Sequence, residues 1–86
     1  MKYKVDRPLA NVDAAAKKLL EIANGMEADH AGRLPVGANN AQFLSAGGDV
    51  HEYVAAVRAA IDLGYITVHP SGAYLSFTQA GADLFA

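Results

Sequence analysis

Residues 63–81 constrain the fold more than any other part of this chain. Gly64 is a typical helix stop, because glycine takes the left-handed backbone conformation at little cost. Two short segments of alternating apolar and polar side chains, residues 65–69 and 73–77, flank a Pro-Ser-Gly turn at residues 70–72. Alternation of this kind, closed by a tight turn, is the pattern of a β-hairpin. The sequence therefore predicts a helix that runs directly into a two-stranded hairpin.

A short last helix follows the hairpin. Thr78 is a suitable N-cap, and the predicted helix extends from Gln79 to about Phe85. Gly81 lies inside this helix and has no Cβ, which favours a close approach to a neighbouring element.

The chain before the hairpin contains two further helical patterns and a short strand. Asn11 is a good N-cap for a first helix that ends between residues 24 and 28. The apolar stripe of this helix is Val12, Ala15, Ala16, Leu19, Ile22, Ala23 and Met26. Residues 33–36 are predicted to form a short edge strand, since proline is tolerated at the edge of a sheet. A short helix is predicted over residues 38–46, with Asn39 or Asn40 at its start. Its predicted core side chains are Ala41 and Leu44, with Phe43 beside them.

The third helix, residues 49–63, has the strongest start signal. Asp49 and Glu52 have the spacing of a capping box, in which each side chain accepts from the other's backbone amide. An apolar series follows, and we expect it to face the core: Val50, Tyr53, Val54, Val57, Ala60, Ile61 and Gly64. The predicted solvent face is His51, Glu52, Ala55, Arg58, Ala59 and Asp62.

Length and composition limit the class of protein. The 86 residues form a single domain, with residues 1–10 as an N-terminal arm or strand. Hydrophobic residues are 52% and charged residues 19%, which excludes an intrinsically disordered chain. No apolar run approaches the roughly 20 residues that cross a membrane, and no secretory signal is expected. With no cysteine, the simplest interpretation is a cytoplasmic protein of bacterial or phage origin.

The run from Val57 to Leu84 resembles the winged-helix superfamily of bacterial transcription regulators. Its matching residues are Leu63-Gly64-Tyr65-Ile66 before the hairpin and Phe77-Thr78-Gln79-Ala80-Gly81 after it. The resemblance implies an α+β fold, a small winged helix-turn-helix with three helices, a C-terminal β-hairpin wing and a short final helix. It also implies that residues 49–63 enter the major groove of double-stranded DNA, that the wing touches the backbone, and that the protein forms a homodimer.

The side chains suited to DNA contact are few. The candidate nucleic-acid-binding residues are Lys2, Lys4, Arg7, Lys17, Lys18, His51 and Arg58. For Arg58 we favour a surface ion pair with Asp62, four residues later on the same face, over a base contact. The wing carries no Lys or Arg at residues 69–72, so a structural hairpin is favoured there. A solubilising arm and helix face is slightly favoured over a phosphate clamp for the N-terminal basic residues.

The charge distribution supports a rival function, a winged-helix domain that binds another protein and not DNA. The formal net charge is −2, whereas phosphate neutralisation dominates the affinity of DNA-binding proteins. Residues 1–33 carry six basic and five acidic side chains, a sum of +1, and residues 34–86 carry Arg58 against four acids, a sum of −3.

No pattern of an enzyme, a metal site or a cofactor site is present in the sequence. The histidines at 30, 51 and 69 are too widely spaced for a recognisable metal motif. No serine lies in a nucleophile motif, and no glycine-rich phosphate loop is present. The apolar content instead predicts a second surface for self-association, with the candidates Tyr3, Leu9, Leu20, Phe43, Leu84 and Phe85. The alternative is a fuller core that buries these residues.

Overall fold

The structure, a computed structural model, describes residues 7–86, so the predicted strand at the start of the arm, with Lys2, Tyr3 and Lys4, lies outside the described residues. The described chain is α+β and is compatible with a small winged-helix-like fold. Its helices are α1 (Val12–Asn24), α2 (Val36–Ser45), α3 (Val50–Asp62) and α4 (Gln79–Asp83). Its strands are β1 (Leu34–Pro35), β2 (Ile66–Val68) and β3 (Tyr74–Phe77). No helix within residues 7–86 has the length and apolar content to cross a bilayer.

The first helix has its predicted start, and its predicted apolar stripe is buried or half-buried except for Val12, which is exposed at the first helical position. The Asn11 side chain accepts a hydrogen bond from the Ala14 amide at 3.0 Å and so caps α1, as predicted. Before it, Pro8–Ala10 form one turn of 3-10 helix and not a strand. Leu9 in this turn is buried, so the chain entering α1 contributes to the core.

The sheet is antiparallel and has the strand order β1-β3-β2. The predicted hairpin is confirmed, with Ile66 opposite Phe77 and Val68 opposite Leu75. Gly72 in the turn has φ 77°, a conformation that favours glycine. The strand β1 lies at the edge of the sheet. Pro35 is tolerated there because proline has no backbone N–H that would need a partner strand.

The second helix differs from its prediction. It begins at Val36, and Asn39 is a buried residue inside it and not its N-cap. Phe43 is fully buried, whereas Ala41 and Leu44 are exposed. The helix is rotated in this way because the Asn39 side chain makes hydrogen bonds within the core, described below.

The junction of hairpin and last helix is tightly packed. The Thr78 hydroxyl accepts from the Gly81 amide at 3.0 Å and caps α4, as predicted. A Cβ on Gly81 would overlap the Tyr65 carbonyl oxygen, which confirms the expected close approach.

The predicted self-association surface is only partly present, because several of its residues belong to the core. Leu9, Leu20 and Phe43 were expected at an exposed apolar surface and are buried in the core instead. Leu84 and Phe85 are exposed. The larger change concerns α3, whose exposed face is described next.

Candidate interaction surface

The start of α3 holds Arg7 in an ion-pair cluster. The capping box is present, with Glu52 N donating to Asp49 Oδ1 at 2.8 Å and Asp49 N donating to Glu52 Oε1 at 2.9 Å. The Arg7 guanidinium donates to both Glu52 carboxylate oxygens, at 2.6 and 3.1 Å, and to Asp49 Oδ2 at 3.3 Å. The hydrogen bond and charge of Glu52 raise the pKa of Arg7 above its ordinary value. Two carboxylates thus neutralise a residue that the sequence offered as a phosphate contact.

Lys17 of α1 lies near the opposite end of α3 from Arg7. Lys18 pairs with Glu21 at 3.5 Å. Lys17 borders a groove of about 320 Å³ near the C-terminal end of α3, lined by Asp13, Ala16, Lys17, Leu20, Glu21, Leu63, Tyr65, Leu84 and Phe85. Arg7 contacts the opposite end of α3, and a 13-residue helix is about 20 Å long. Arg7 and Lys17 therefore do not form one basic patch.

His51 and Arg58 are both exposed on α3, as predicted. The expected pair between Arg58 and Asp62 is not formed, and Arg58 makes no ion pair with any residue from 7 to 86. The two residues are seven positions apart, about two helical turns, and so lie on the same side of the helix.

The apolar series of α3 is divided between two faces. Val50, Val54 and Ile61 are exposed by 56, 48 and 41%, against the prediction that they face the core. Val57 is half-buried between them. We call this row the α3 stripe; its members are Val50, Val54, Val57 and Ile61. Among the described residues 7–86, Val50, Val54 and Ile61 remain exposed, whereas Val57 also packs against the core.

The core face of α3 consists of Tyr53, Ala56 and Ala60, all buried. The helix with which α3 has its most extensive contact is α1, which is itself rich in buried alanine. Small side chains on both helices allow a close approach of their axes. The predicted solvent face of α3 is correct for His51, Ala55, Arg58 and Asp62, whereas Ala59 and Glu52 are half-buried.

A buried hydrogen-bond network fixes the rotation of α3. The Tyr53 hydroxyl donates to Asn39 Oδ1 at 2.8 Å, and Asn39 Nδ2 donates to the Leu19 carbonyl at 3.3 Å and contacts the Met26 sulfur at 3.6 Å. Burial raises the pKa of Tyr53 to about 12. Because buried polar groups require partners, Tyr53 must face Asn39, and the α3 stripe must then face outward.

The wing has its own internal hydrogen bonds. The His69 Nδ1 lies 2.9 Å from the Ser71 hydroxyl and accepts from the Ser71 amide at 3.1 Å. Beside the sheet, Arg33 lies over the Tyr74 ring at 4.7 Å and pairs with Asp29 at 3.1 Å. Hydrogen bonds from the Arg33 and Ala31 amides lower the pKa of Asp29. Arg33 is thus held by its neighbours, and the structural role of the wing stays a prediction.

Two features of this surface were missed by sequence reasoning. The α3 stripe was identified but assigned to the core; the signal available was Tyr53, whose hydroxyl requires a buried partner when the ring is buried. The Arg7 cluster had no sequence signal, because its partners lie 42 and 45 residues away.

The structure brings together no group of three or more potential metal ligands within residues 7–86. Comparison of the chain with protein-family models, with curated proteins and with solved structures gives no match.

Proposed function

We propose that this chain is a protein-interaction module in which the α3 stripe binds an apolar helical segment of a partner. The observation that carries the proposal is the exposure of Val50, Val54 and Ile61 on one face of the helix. Exposed apolar side chains that line up on one surface, and are bordered by polar ones, are typical of sites of protein association.

The electrostatics of α3 support a protein partner over DNA. In the fold implied by the sequence, α3 would be the recognition helix, and base edges are read by Arg, Lys, Asn, Gln, Ser or Thr. The corresponding row here is aliphatic, and α3 with its cap carries Arg58 against Asp49, Glu52 and Asp62. The positive charge of Arg7 is paired with Asp49 and Glu52 and is therefore not free to contact phosphate.

A selection from a displayed library of amphipathic helical peptides tests the proposal. Peptides that bind the wild type should lose most of their affinity for Val54→Asp, because docking would bury the new carboxylate. They should keep their affinity for Val12→Asp, which changes the same residue type at 44% exposure on another helix. If the selection returns no peptide sensitive to Val54→Asp, the α3 stripe does not bind helical segments of other proteins.

Double-stranded DNA is a second candidate partner, in a transcription-regulator-like role. It is supported by Arg58, which is exposed and free of ion pairs within the described residues, and by His51 on the same side of α3. Titration with mixed-sequence duplex at low salt tests it. Binding with a steep salt dependence, weakened by Arg58→Ala and reduced in salt slope by a Lys17→Ala, Lys18→Ala double variant, would favour DNA over protein.

A further inference from the structure

We infer that the occupant of the α3 stripe is a second copy of this chain, which docks its own α3 in the antiparallel direction. The inference rests on the proposed function, because it names the partner of the same surface. Three properties of the stripe carry it: its spacing, its symmetry and the charge on its exposed flank.

The spacing is that of a helix–helix seam. The members of the stripe follow one another at intervals of four, three and four residues, from Val50 to Ile61. This is the interval at which apolar side chains interlock between two helices of a coiled coil. In α3, Val50, Val54 and Ile61 form an exposed apolar row beside the buried one, and the half-buried Val57, which also packs against the core, lies between the two rows.

The order of the intervals makes the seam self-complementary. Four-three-four reads the same in both directions, so an antiparallel pair places Val50 opposite Ile61 of the second copy and Val54 opposite Val57. Residue i meeting j while j meets i is the condition for a two-fold interface between identical chains. A foreign partner has no requirement for this symmetry, whereas a second copy satisfies it without further assumptions.

The charge beside the stripe suits a like partner. In a two-fold antiparallel pair, the exposed flank of one helix faces the same flank of the other, so any net charge there repels itself. The charged residues on the exposed flank are Arg58 and Asp62, whose formal charges cancel. A partner such as DNA needs the opposite condition, a net positive surface.

The short seam predicts weak association. From Val50 to Ile61 the helix rises about 16 Å, which is too little for an interface of standard size. We therefore expect a monomer–dimer equilibrium in the high micromolar range and not an obligate dimer.

Sedimentation equilibrium of the full chain, from low micromolar to millimolar concentration, tests the inference. The wild type and Val12→Asp should both show the equilibrium, and Val54→Asp should raise the dissociation constant by about tenfold or more, because pairing would bury an uncompensated carboxylate. Circular dichroism shows whether each variant is folded. If the wild type remains monomeric at millimolar concentration, or folded Val54→Asp associates as strongly as Val12→Asp, the inference is wrong.

Disulfide trapping tests the direction of pairing, and the absence of native cysteine makes it clean. A mixture of Val50→Cys and Ile61→Cys chains should form the mixed disulfide under mild oxidation, because the antiparallel register puts these positions opposite each other. Val50→Cys alone should not self-link faster than a Val12→Cys control. Rapid self-linking of Val50→Cys, with no excess of the mixed species, would indicate parallel pairing and overturn the inference.

The two proposals fail in different ways. If the library yields peptides that depend on Val54 while the chain stays monomeric, the docking surface stands and the second copy is not its occupant. If neither peptides nor self-association depend on Val54, both proposals are wrong.

Discussion

The two apolar faces of α3 differ in the size of their side chains. Larger apolar side chains are expected in the core, but here most of the larger ones are exposed. The buried face presents Ala56 and Ala60 with Tyr53, while the larger β-branched residues of the α3 stripe lie outside. A buried alanine stabilises the fold through the close helix approach that it permits, and not through its own apolar area. Residue hydrophobicity therefore locates the core poorly when two helices meet through alanines.

The largest expected effect is on stability and concerns two adjacent alanines of α3, one buried and one exposed. Ala56 is fully buried against its neighbours and Ala55 is exposed. Ala56→Leu should lower the free energy of unfolding by about 3 kcal/mol, because a packed interface has no room for three more carbons. Ala55→Leu should change it by less than about 0.5 kcal/mol. Urea denaturation of both variants gives the two values, and equal costs would show that the assigned core face is wrong.

The next effect concerns the network that sets the rotation of α3. Tyr53→Phe removes the hydroxyl that donates to Asn39 Oδ1 and leaves a buried acceptor without its partner. The free energy of unfolding should fall by about 2 kcal/mol. Tyr65→Phe is the matched control, since the Tyr65 ring is only half-buried. A loss no larger than in this control would show that the hydroxyl does not fix the helix.

The same tyrosine gives the protein a defined pH dependence. Burial raises the pKa of Tyr53 to about 12, whereas an unfolded tyrosine titrates near 10. Between these values the unfolded chain loses a proton that the folded chain keeps, so the contribution of Tyr53 is complete below about pH 10 and falls as the pH rises towards 12. The ultraviolet titration difference between wild type and Tyr53→Phe should have its midpoint near 12. A midpoint near 10 would place Tyr53 in water.

The smallest effects lie at the start of α3. Asp49→Ala should cost about 1 kcal/mol through loss of the N-cap. Arg7→Ala should lower the melting temperature only slightly, by an amount that salt reduces, because its ion pairs are exposed to solvent. Thermal melts at two salt concentrations distinguish the two variants. A large, salt-independent loss in Arg7→Ala would assign Arg7 a packing role.

Much of the fold could be predicted because its signals are local. The Asp49 capping box, the turn that ends in Gly72 and the Thr78 cap each depend on residues within a few positions, and each is present. The predicted start of α2 was wrong, because an asparagine is equally suited to an N-cap and to a buried hydrogen bond. Only the position of Tyr53 in space decides between these roles for Asn39.

The candidate site was less predictable for a related reason. The members of the α3 stripe were placed on one apolar face together with Tyr53, Ala60 and Gly64, but sequence periodicity gives the direction of a face only relative to its own helix. A helix with two apolar rows has two ways to face the core, and the choice is made by partners distant in sequence. Arg7 likewise acquired its carboxylates through the fold and not through its neighbours in the chain.

Thiol labelling of single-cysteine variants tests the orientation of α3 most directly. Val54→Cys and Ala60→Cys are each reacted with a thiol reagent at low micromolar protein, where weak self-association is negligible. The chain has no other thiol, so each rate reports one position. We expect Val54→Cys to react about as fast as an unstructured peptide and Ala60→Cys to react only through unfolding. Protection of Val54→Cys together with rapid labelling of Ala60→Cys would contradict the account.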